Sequence, residues 1–308
     1  MGKLSFLELL IAPLKIISQY GKLMAITATL YLILYSIAFI LGILSIKPSL
    51  LDLTLNLMNL DSVSPFTPEF NKLLAAIAED TGIFLGIKAA YAVLFFFVAL
   101  FAQTAIIIIA SYYYSGHDLS PKELLLKVSK TWTRPFFTSM WVQLLALGYT
   151  SFFLFAFMVP SLVLFKHPFI LIIVLFFLAI LFVTLYIYLS VVWSLGVVVS
   201  VVEDSYGFSA LGKARELVNG NRVYGFLLNL FCILVLLVLN LIIGSILSPS
   251  MPIVVGVIQT LLIAVIGMFQ YLAYTGFYYQ CKNNGMTKSV GLEYSPIPDA
   301  PVVHEDLP

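Results

Sequence analysis

Six long runs of apolar residues, each free of charged side chains, dominate the pattern along the chain. A bilayer core of about 30 Å is crossed by roughly 20 helical residues, and every run reaches that length. The fourth run would extend over roughly 52 Å at about 1.5 Å per residue, so we expect it to tilt, bend or project from the bilayer. The pattern predicts an all-α bundle of six transmembrane helices at residues 23–46, 89–115, 136–165, 168–202, 223–247 and 253–281.

A shorter amphipathic segment precedes the first, third and fifth of these runs, which predicts a threefold helix-hairpin repeat. Such segments are too short and too charged to span, so we expect their apolar stripes in the headgroup boundary, with lysines toward anionic lipid. Packing of the stripes against the bundle's own ends is an equal alternative. The three stripes consist of Leu7, Leu10, Ile11 and Leu14; Leu124, Leu125, Val128 and Trp132; and Ala210, Leu211, Ala214, Leu217 and Val218.

Local signals mark where two of these short helices begin. Ser5 with Glu8, and Ser120 with Glu123, have the spacing of a capping box, in which each side chain satisfies a backbone N–H of the other residue. A helix in the second cytosolic loop is therefore predicted to begin at Ser120.

Basic residues are divided unequally between the two sides of the predicted bundle. Twelve of the 16 lysines and arginines fall on the side of both chain ends, and four fall on the other. The positive-inside rule then predicts a multi-pass protein with both termini in the cytosol, in the plasma membrane or an internal membrane. We expect the first run to be a retained anchor, because it is too long for a signal peptide and lacks a small-residue cleavage site.

The segments outside the apolar runs predict one loop and one tail. Residues 47–88 are expected to form the sizeable non-cytosolic loop, with one short helix starting at Thr67, Pro68 and Glu69. The loop could be a contact surface, but a lid packed on the mouth of the bundle is favoured. Residues 282–308, rich in proline and acids, are expected to be a disordered cytosolic tail after a membrane domain at 1–281.

Composition narrows the class of protein further. Hydrophobic residues make up 61% of the chain, charged residues 10%, and the mean hydropathy is +1.06, values typical of a membrane protein. A net charge of +1 leaves no cationic surplus for phosphates, so nucleic acid is excluded as a partner. The expected partners are the bilayer and its anionic headgroups, and no protein partner is indicated.

Chemistry-bearing residues are sparse within the six runs. No His/Cys/carboxylate cluster has metal-ligand spacing, and neither Cys232 nor Cys281 has a sequence-local histidine as base. We therefore predict no catalytic residue, no metal site, no cofactor and no enzymatic activity. The uncharged amides are expected to join helix to helix, with a substrate path as the alternative; they are Gln103, Gln143, Asn229, Asn240, Gln259 and Gln270.

One motif supports a resemblance to a known family. Residues 201–222 read VVEDSYGFSALGKARELVNGNR, an acidic turn with a glycine that leads into a helix ending in Gly-Asn-Arg. This segment resembles one in a family of six-span membrane proteins that includes the membrane domain of bacterial glycerophosphodiester phosphodiesterases. The chain looks most like stand-alone, plant-like relatives of uncharacterised function. The resemblance implies the fold and the membrane location but no catalytic residue, because the phosphodiesterase domain is separate and soluble.

Two functions follow as hypotheses from these observations. The first is a non-enzymatic membrane protein that acts as a scaffold, trafficking factor or organiser of the lipid environment. The alternative is a transporter or channel for a neutral or lipidic substrate, for which an uncharged, aromatic-rich interior is suitable. A continuous polar cavity lined by Gln103, Gln143, Asn229 and Gln270 would favour transport.

The predicted topology can be tested with epitope tags. Tags at the two ends are expected to be accessible from the same face of a sealed vesicle, because an even number of spans returns the chain to its starting side. A tag within residues 47–88 should be accessible from the other face. Terminal tags that react on opposite faces would contradict the topology.

Overall fold

Every regular element in the described residues, which are 6–64, 67–247 and 252–293 of this computed structural model, is an α-helix. Six of the helices are long and apolar enough to span a membrane, which confirms the predicted fold class. In chain order the helices are α1 (Phe6–Gln19), α2 (Gly21–Ser62), α3 (Pro68–Ser115), α4 (Pro121–Thr131), α5 (Thr133–Val163), α6 (Pro168–Val202), α7 (Phe208–Asn219), α8 (Arg222–Leu247) and α9 (Pro252–Glu293).

The predicted threefold repeat is present in the order of the helices. A short helix followed by two long ones occurs three times, with α1, α4 and α7 as the short members. The capping box at the start of α4 is confirmed, since the Ser120 hydroxyl accepts from the Glu123 N–H and the Glu123 carboxylate accepts from the Ser120 N–H. Ser5, of the other predicted capping box, lies outside the described residues, as do residues 294–308 of the predicted tail. Residues 282–293 of that tail are not disordered as predicted but continue helix α9.

The prediction of a loop with one short helix at residues 47–88 is wrong. Helix α2 continues to Ser62, and the helix that starts at Pro68 continues without interruption to Ser115. The predicted start itself is confirmed, because the Thr67 hydroxyl accepts a hydrogen bond from the Phe70 N–H at 3.2 Å. Charged residues such as Asp52 and Lys72 end an apolar run but are compatible with a helix, so the helices extend beyond the membrane-like segments.

Helices α2 and α3 form one long antiparallel hairpin instead of a lid. The Ser45 and Tyr91 hydroxyls are 3.1 Å apart, and the Asn56 amide donates to Asp80 at 2.7 Å. With 42 and 48 residues, the two helices reach roughly 63 and 72 Å at about 1.5 Å per residue. That length is more than twice the apolar core of a bilayer, so a hairpin of this length that crossed a bilayer would have to tilt or project from it.

The tightest packing is at one end of the bundle, which we call the basic end because the lysines and arginines of α1, α4 and α7 collect there. Every residue is buried in three helix segments, namely 102–110 of α3, 195–201 of α6 and 272–278 of α9. Helices that are buried on all sides along two turns leave no gap between them. We call these three segments, with the short helices packed on them, the plug.

The three amphipathic stripes have different surroundings. In α7 the stripe is buried on the bundle through Ala210, Ala214 and Val218, which confirms the packing alternative for this copy. Helix α1 buries Leu9 and Ile16 but leaves Leu7 67% exposed, and α4 buries Leu124 but leaves Leu125 69% exposed. Helices α1 and α4 therefore keep apolar side chains on the outside, as a helix at a membrane surface does.

Candidate functional site

A small cavity lies between α5, α6, α8 and α9, and we call it the polar chamber. Its volume is about 270 Å³. Amide, hydroxyl and thiol groups from three helices reach it, together with one indole ring. The residues that give it this character are Ser190, Trp193, Ser194, Asn229, Cys232, Gln270 and Tyr271.

A larger cavity of about 580 Å³ lies beside it, between α2, α3 and α5, and we call it the aromatic chamber. It opens to the outside of the bundle, since Ala92, Val93 and Gln143 in its wall are exposed. Five rings, one of them Tyr271 of α9, and several aliphatic side chains form its walls, with three polar side chains on the side of α3 and α5. The residues are Tyr31, Tyr35, Ala92, Val93, Phe95, Phe96, Ala99, Leu100, Gln103, Ser139 and Gln143. Its volume falls within the usual range of small-molecule pockets, about 300–1,000 Å³.

The two chambers share a wall, to which Val142, Val197 and Tyr271 contribute. The part of α6 that lines them lies roughly 8 to 24 Å from the end of that helix, at about 1.5 Å per residue. If the apolar core of a bilayer, about 30 Å thick, begins at that end of α6, the chambers lie near its middle. Gln103 and Val197 belong to the buried segments of the plug, so the plug is the floor of the aromatic chamber.

Asn229 is the centre of the hydrogen-bond network in the polar chamber. Its side-chain NH₂ donates to the Ile187 carbonyl at 3.2 Å and to the Ser190 hydroxyl, and its Oδ1 accepts from Gln270 at 3.4 Å. These bonds connect α6, α8 and α9. In the aromatic chamber the Gln103 amide donates to the Ser139 hydroxyl at 3.2 Å and connects α3 to α5.

Four of the six amides singled out in the sequence line the chambers, and two do not. Gln103, Asn229 and Gln270 also join helix to helix as predicted, so the structural role and the lining role coincide. Gln143 lines the aromatic chamber from α5. Asn240 instead donates to the Leu236 carbonyl of its own helix at 2.8 Å, and neither it nor Gln259 lines a chamber.

The aromatic members of the site were not predicted from the sequence. Tyr31, Tyr35, Trp193 and Tyr271 lie in apolar runs that contain many other aromatic residues, and no spacing distinguishes them. Tyr31 and Trp193 are ten and nine residues from the basic ends of α2 and α6, but Tyr35 and Tyr271 are 14 and 22 residues from the basic ends of α2 and α9. No common position along a helix therefore distinguishes these four residues in the sequence.

Glu203, the residue that follows α6, holds three helices together at the basic end. Its carboxylate contacts Lys213 of α7 at 3.0 Å, accepts from the Tyr278 hydroxyl of α9 at 2.6 Å, and lies 3.5 Å from Lys282. Glu203 belongs to the acidic turn of the sequence motif, and through these contacts it closes the plug on the side of the basic end.

The start of α5 is fastened to the same turn. Arg134 forms an ion pair with Asp204, and the Gly207 N–H donates to the Thr138 hydroxyl at 2.9 Å. Gly207 has φ of 60°, a left-handed conformation that glycine adopts without steric cost, and this allows the sharp turn into α7. All four helices that line the polar chamber therefore meet the plug or the turn at the basic end.

The environment of Glu203 favours its charged form. Burial acts to raise the pKa of this carboxyl, but the hydrogen bonds from Tyr278 and Lys213 and the charges of Lys213 and Lys282 outweigh it, so the pKa lies below its usual range. The carboxylate is therefore ionised at neutral pH, when its three contacts are strongest.

Comparison with known proteins assigns the chain to a family. Residues 1–288 match a family described as a domain of unknown function, DUF8558. The chain belongs to this family. The matched region of this DUF8558 protein includes both chambers and Glu203. No curated protein and no solved structure matches the chain.

Replacing Glu203 by glutamine in this DUF8558 protein is expected to lower the free energy of unfolding by about 1 to 2 kcal/mol at neutral pH, because the bonds to a charged group are lost. The effect is no larger because Lys213 and Lys282 are partly exposed to solvent. A carboxyl whose pKa is lower in the folded protein than in the unfolded protein stabilises the fold when the pH is above its unfolded pKa. This contribution is lost as the pH falls through the folded pKa. The wild-type protein should therefore lose this stability below about pH 5, whereas E203Q should be less sensitive to acid.

Thermal unfolding in detergent between pH 7 and pH 4 measures this difference. Glu216→Gln is the matched control, since Glu216 lies on the exposed side of α7, and it should behave like the wild type. Equal stability of E203Q and the wild type at every pH would show that Glu203 does not hold the basic end together.

Proposed function

We propose that this DUF8558 protein crosses the membrane six times, binds a neutral lipidic substrate in the two chambers and transports it. The observation that carries the proposal is the position of the two adjoining chambers at mid-depth in the bundle, with Gln103, Gln143, Asn229 and Gln270 in their walls. Substrate sites of many membrane transporters lie near the bilayer midplane, between helices.

The chemistry of the lining supports a neutral substrate. No Asp, Glu, Lys, Arg or His is among the described residues that line either chamber. A charged molecule buried there would lose its hydration without gaining a counter-charge, which is costly in a low-dielectric interior. Rings, aliphatic side chains and a few convergent amides and hydroxyls are typical of sites for uncharged amphipathic molecules.

Closure at one end supports transport over permanent storage. The plug and the contacts of Glu203 separate the chambers from the basic end, so release toward that end requires α6, α7 and α9 to part. The contacts that must break are the polar contacts of Glu203 and the apolar packing of α6 and α9 in the plug. Packed interfaces that switch in this way have two discrete arrangements and do not deform continuously.

The orientation is part of the same proposal. The short helices α1, α4 and α7 place their lysines and arginines at one end of the bundle, and the positive-inside rule puts this end in the cytosol, together with both termini. A scaffold role, the absence of enzymatic activity and the resemblance to glycerophosphodiester phosphodiesterase membrane domains remain predictions from the sequence. The chambers favour transport over the scaffold role.

Filling the aromatic chamber tests the proposal. Ala99→Trp and, separately, Ala92→Trp place an indole in this cavity and are expected to reduce transport at least tenfold, because the substrate and the ring compete for one volume. The measurement is the movement of a fluorescent glucosylceramide between the two leaflets of the proteoliposome membrane. Dithionite bleaches the fluorophore in the outer leaflet and so reports this movement. Leu147→Trp, on an exposed position of α5, is the control and should retain the wild-type rate.

Each outcome of this assay has a distinct meaning, provided that all variants elute as single species. Wild-type vesicles that bleach no faster than protein-free vesicles would contradict transport of this class of lipid. Equal rates in Ala99→Trp, Ala92→Trp and the wild type would show that the lipid moves along another surface of the protein.

A further inference from the structure

The orientation of the Asn229 amide is fixed by one of its neighbours. The Ile187 carbonyl oxygen can only accept a hydrogen bond, so the group 3.2 Å from it must be the NH₂ of Asn229. The carbonyl oxygen of Asn229 then faces Gln270, which must present its own NH₂ to it. Gln270 is left with its Oε1 as the oxygen that can accept a further hydrogen bond within the polar chamber.

A buried hydroxyl lies next to this oxygen. Tyr274 is fully buried and is not itself among the residues that line the polar chamber. Its hydroxyl forms no hydrogen bond of standard geometry with a described group, and its nearest polar partners are Gln270 and Ser194, both of which line the chamber. A buried hydroxyl without a well-formed hydrogen bond is unfavourable, so a ligand hydroxyl that binds Gln270 and Ser194 and also bonds to Tyr274 gains affinity.

These groups define the chemistry of a complementary ligand. The Gln270 oxygen accepts, whereas the hydroxyls of Ser194 and Tyr274 can donate or accept. A ligand hydroxyl can donate to the first and accept from the others, and it is uncharged. An ester or ether oxygen cannot donate to Gln270, and a carboxylate or an ammonium group would find no counter-charge in the lining.

The aromatic chamber suits the rest of such a molecule. It has about twice the volume of the polar chamber, and its walls are mostly rings and aliphatic groups, with Tyr35 and Phe95 in edge contact at 4.7 Å. Tyr271 belongs to both walls, so a molecule that occupies both chambers lies against its ring. A small polar cavity beside a larger apolar one matches a lipid with a compact head and a hydrocarbon body.

We infer that the substrate is a neutral lipid with a hydroxylated head, whose hydroxyl group binds Gln270, Ser194 and Tyr274 in the polar chamber while its hydrocarbon part lies in the aromatic chamber. This inference rests on the proposed function and specifies its substrate class. A glycerol, a sugar and a sterol hydroxyl have the same bonding chemistry, and the test below distinguishes them.

Trp193 is a reporter inside the polar chamber. The double variant Trp132→Phe, Trp141→Phe leaves Trp193 as the single tryptophan of the chain. This variant can be titrated in detergent with lipids that differ in their head group, with Trp193 fluorescence as the readout. Mono-oleoylglycerol, oleyl glucoside and cholesterol are the hydroxylated probes. Methyl oleate lacks a hydroxyl, oleate at pH 8 is an anion, and oleylamine is a cation.

At least one hydroxylated probe is expected to bind about tenfold more tightly than methyl oleate, oleate and oleylamine. The hydroxylated probe that binds most tightly shows whether the hydroxyl belongs to a glycerol, a sugar or a sterol. Gln270→Leu should reduce this preference to about onefold while methyl oleate affinity stays within a few fold. Tyr274→Phe should weaken the preference without lowering the thermal stability of the lipid-free protein, a result that a purely structural role would not give. Asn240→Leu is the control and should keep the full preference.

The outcomes separate this inference from the proposed function. No change of Trp193 fluorescence with any lipid would overturn both. Saturable binding of all uncharged lipids with equal affinity would overturn the hydroxylated head but leave the lipid site in place. Tightest binding of oleate or oleylamine would contradict the neutral substrate itself.

Discussion

Close packing of three helices at one end of the bundle is the constraint on which the rest of this structure depends. Glycines make that approach feasible: a Cβ at Gly225 would lie 2.7 Å from Val191, and one at Gly276 would lie 2.6 Å from the Tyr114 hydroxyl. Because α3, α6, α8 and α9 approach one another at such positions, the packing at the basic end is close and continuous. The same helices carry larger side chains further along, and the space that remains between them there forms the two chambers.

This arrangement gives the amides of the polar chamber two roles. Asn229 and Gln270 stabilise the meeting of α6, α8 and α9, as buried polar groups do in membrane bundles, and they also direct polar atoms into the polar chamber. The Tyr274 hydroxyl, next to Gln270 and Ser194, forms no hydrogen bond of standard geometry in the described structure. The fold thus holds the chambers open at mid-depth and closes them below with Glu203, and the proposed transport follows from these two features.

Much of the fold could be predicted from the sequence, because hydrophobic periodicity and capping are local. The six long helices, the repeat of short and long helices and the starts at Thr67 and Ser120 follow from such signals. The ends of α2 and α3 could not be predicted in this way, since charges at Asp52 and Lys72 mark the limit of apolar sequence but not of a helix. The site was predictable in part: the amides were identifiable by polarity, whereas their convergence and the contributions of Tyr31 and Trp193 depend on how distant helices meet.

The contrast between a dry plug and open chambers is most directly tested by cysteine accessibility. In a Cys232→Ser, Cys281→Ser background, single cysteines would replace Ser190 and Gln143 in the chambers and Ile107 and Val198 in the plug, and each would be treated with methyl methanethiolsulfonate in reconstituted membranes. The account predicts that cysteines at Ser190 and Gln143 react at least tenfold faster than those at Ile107 and Val198. Equal rates at the four positions, or faster reaction in the plug, would contradict it.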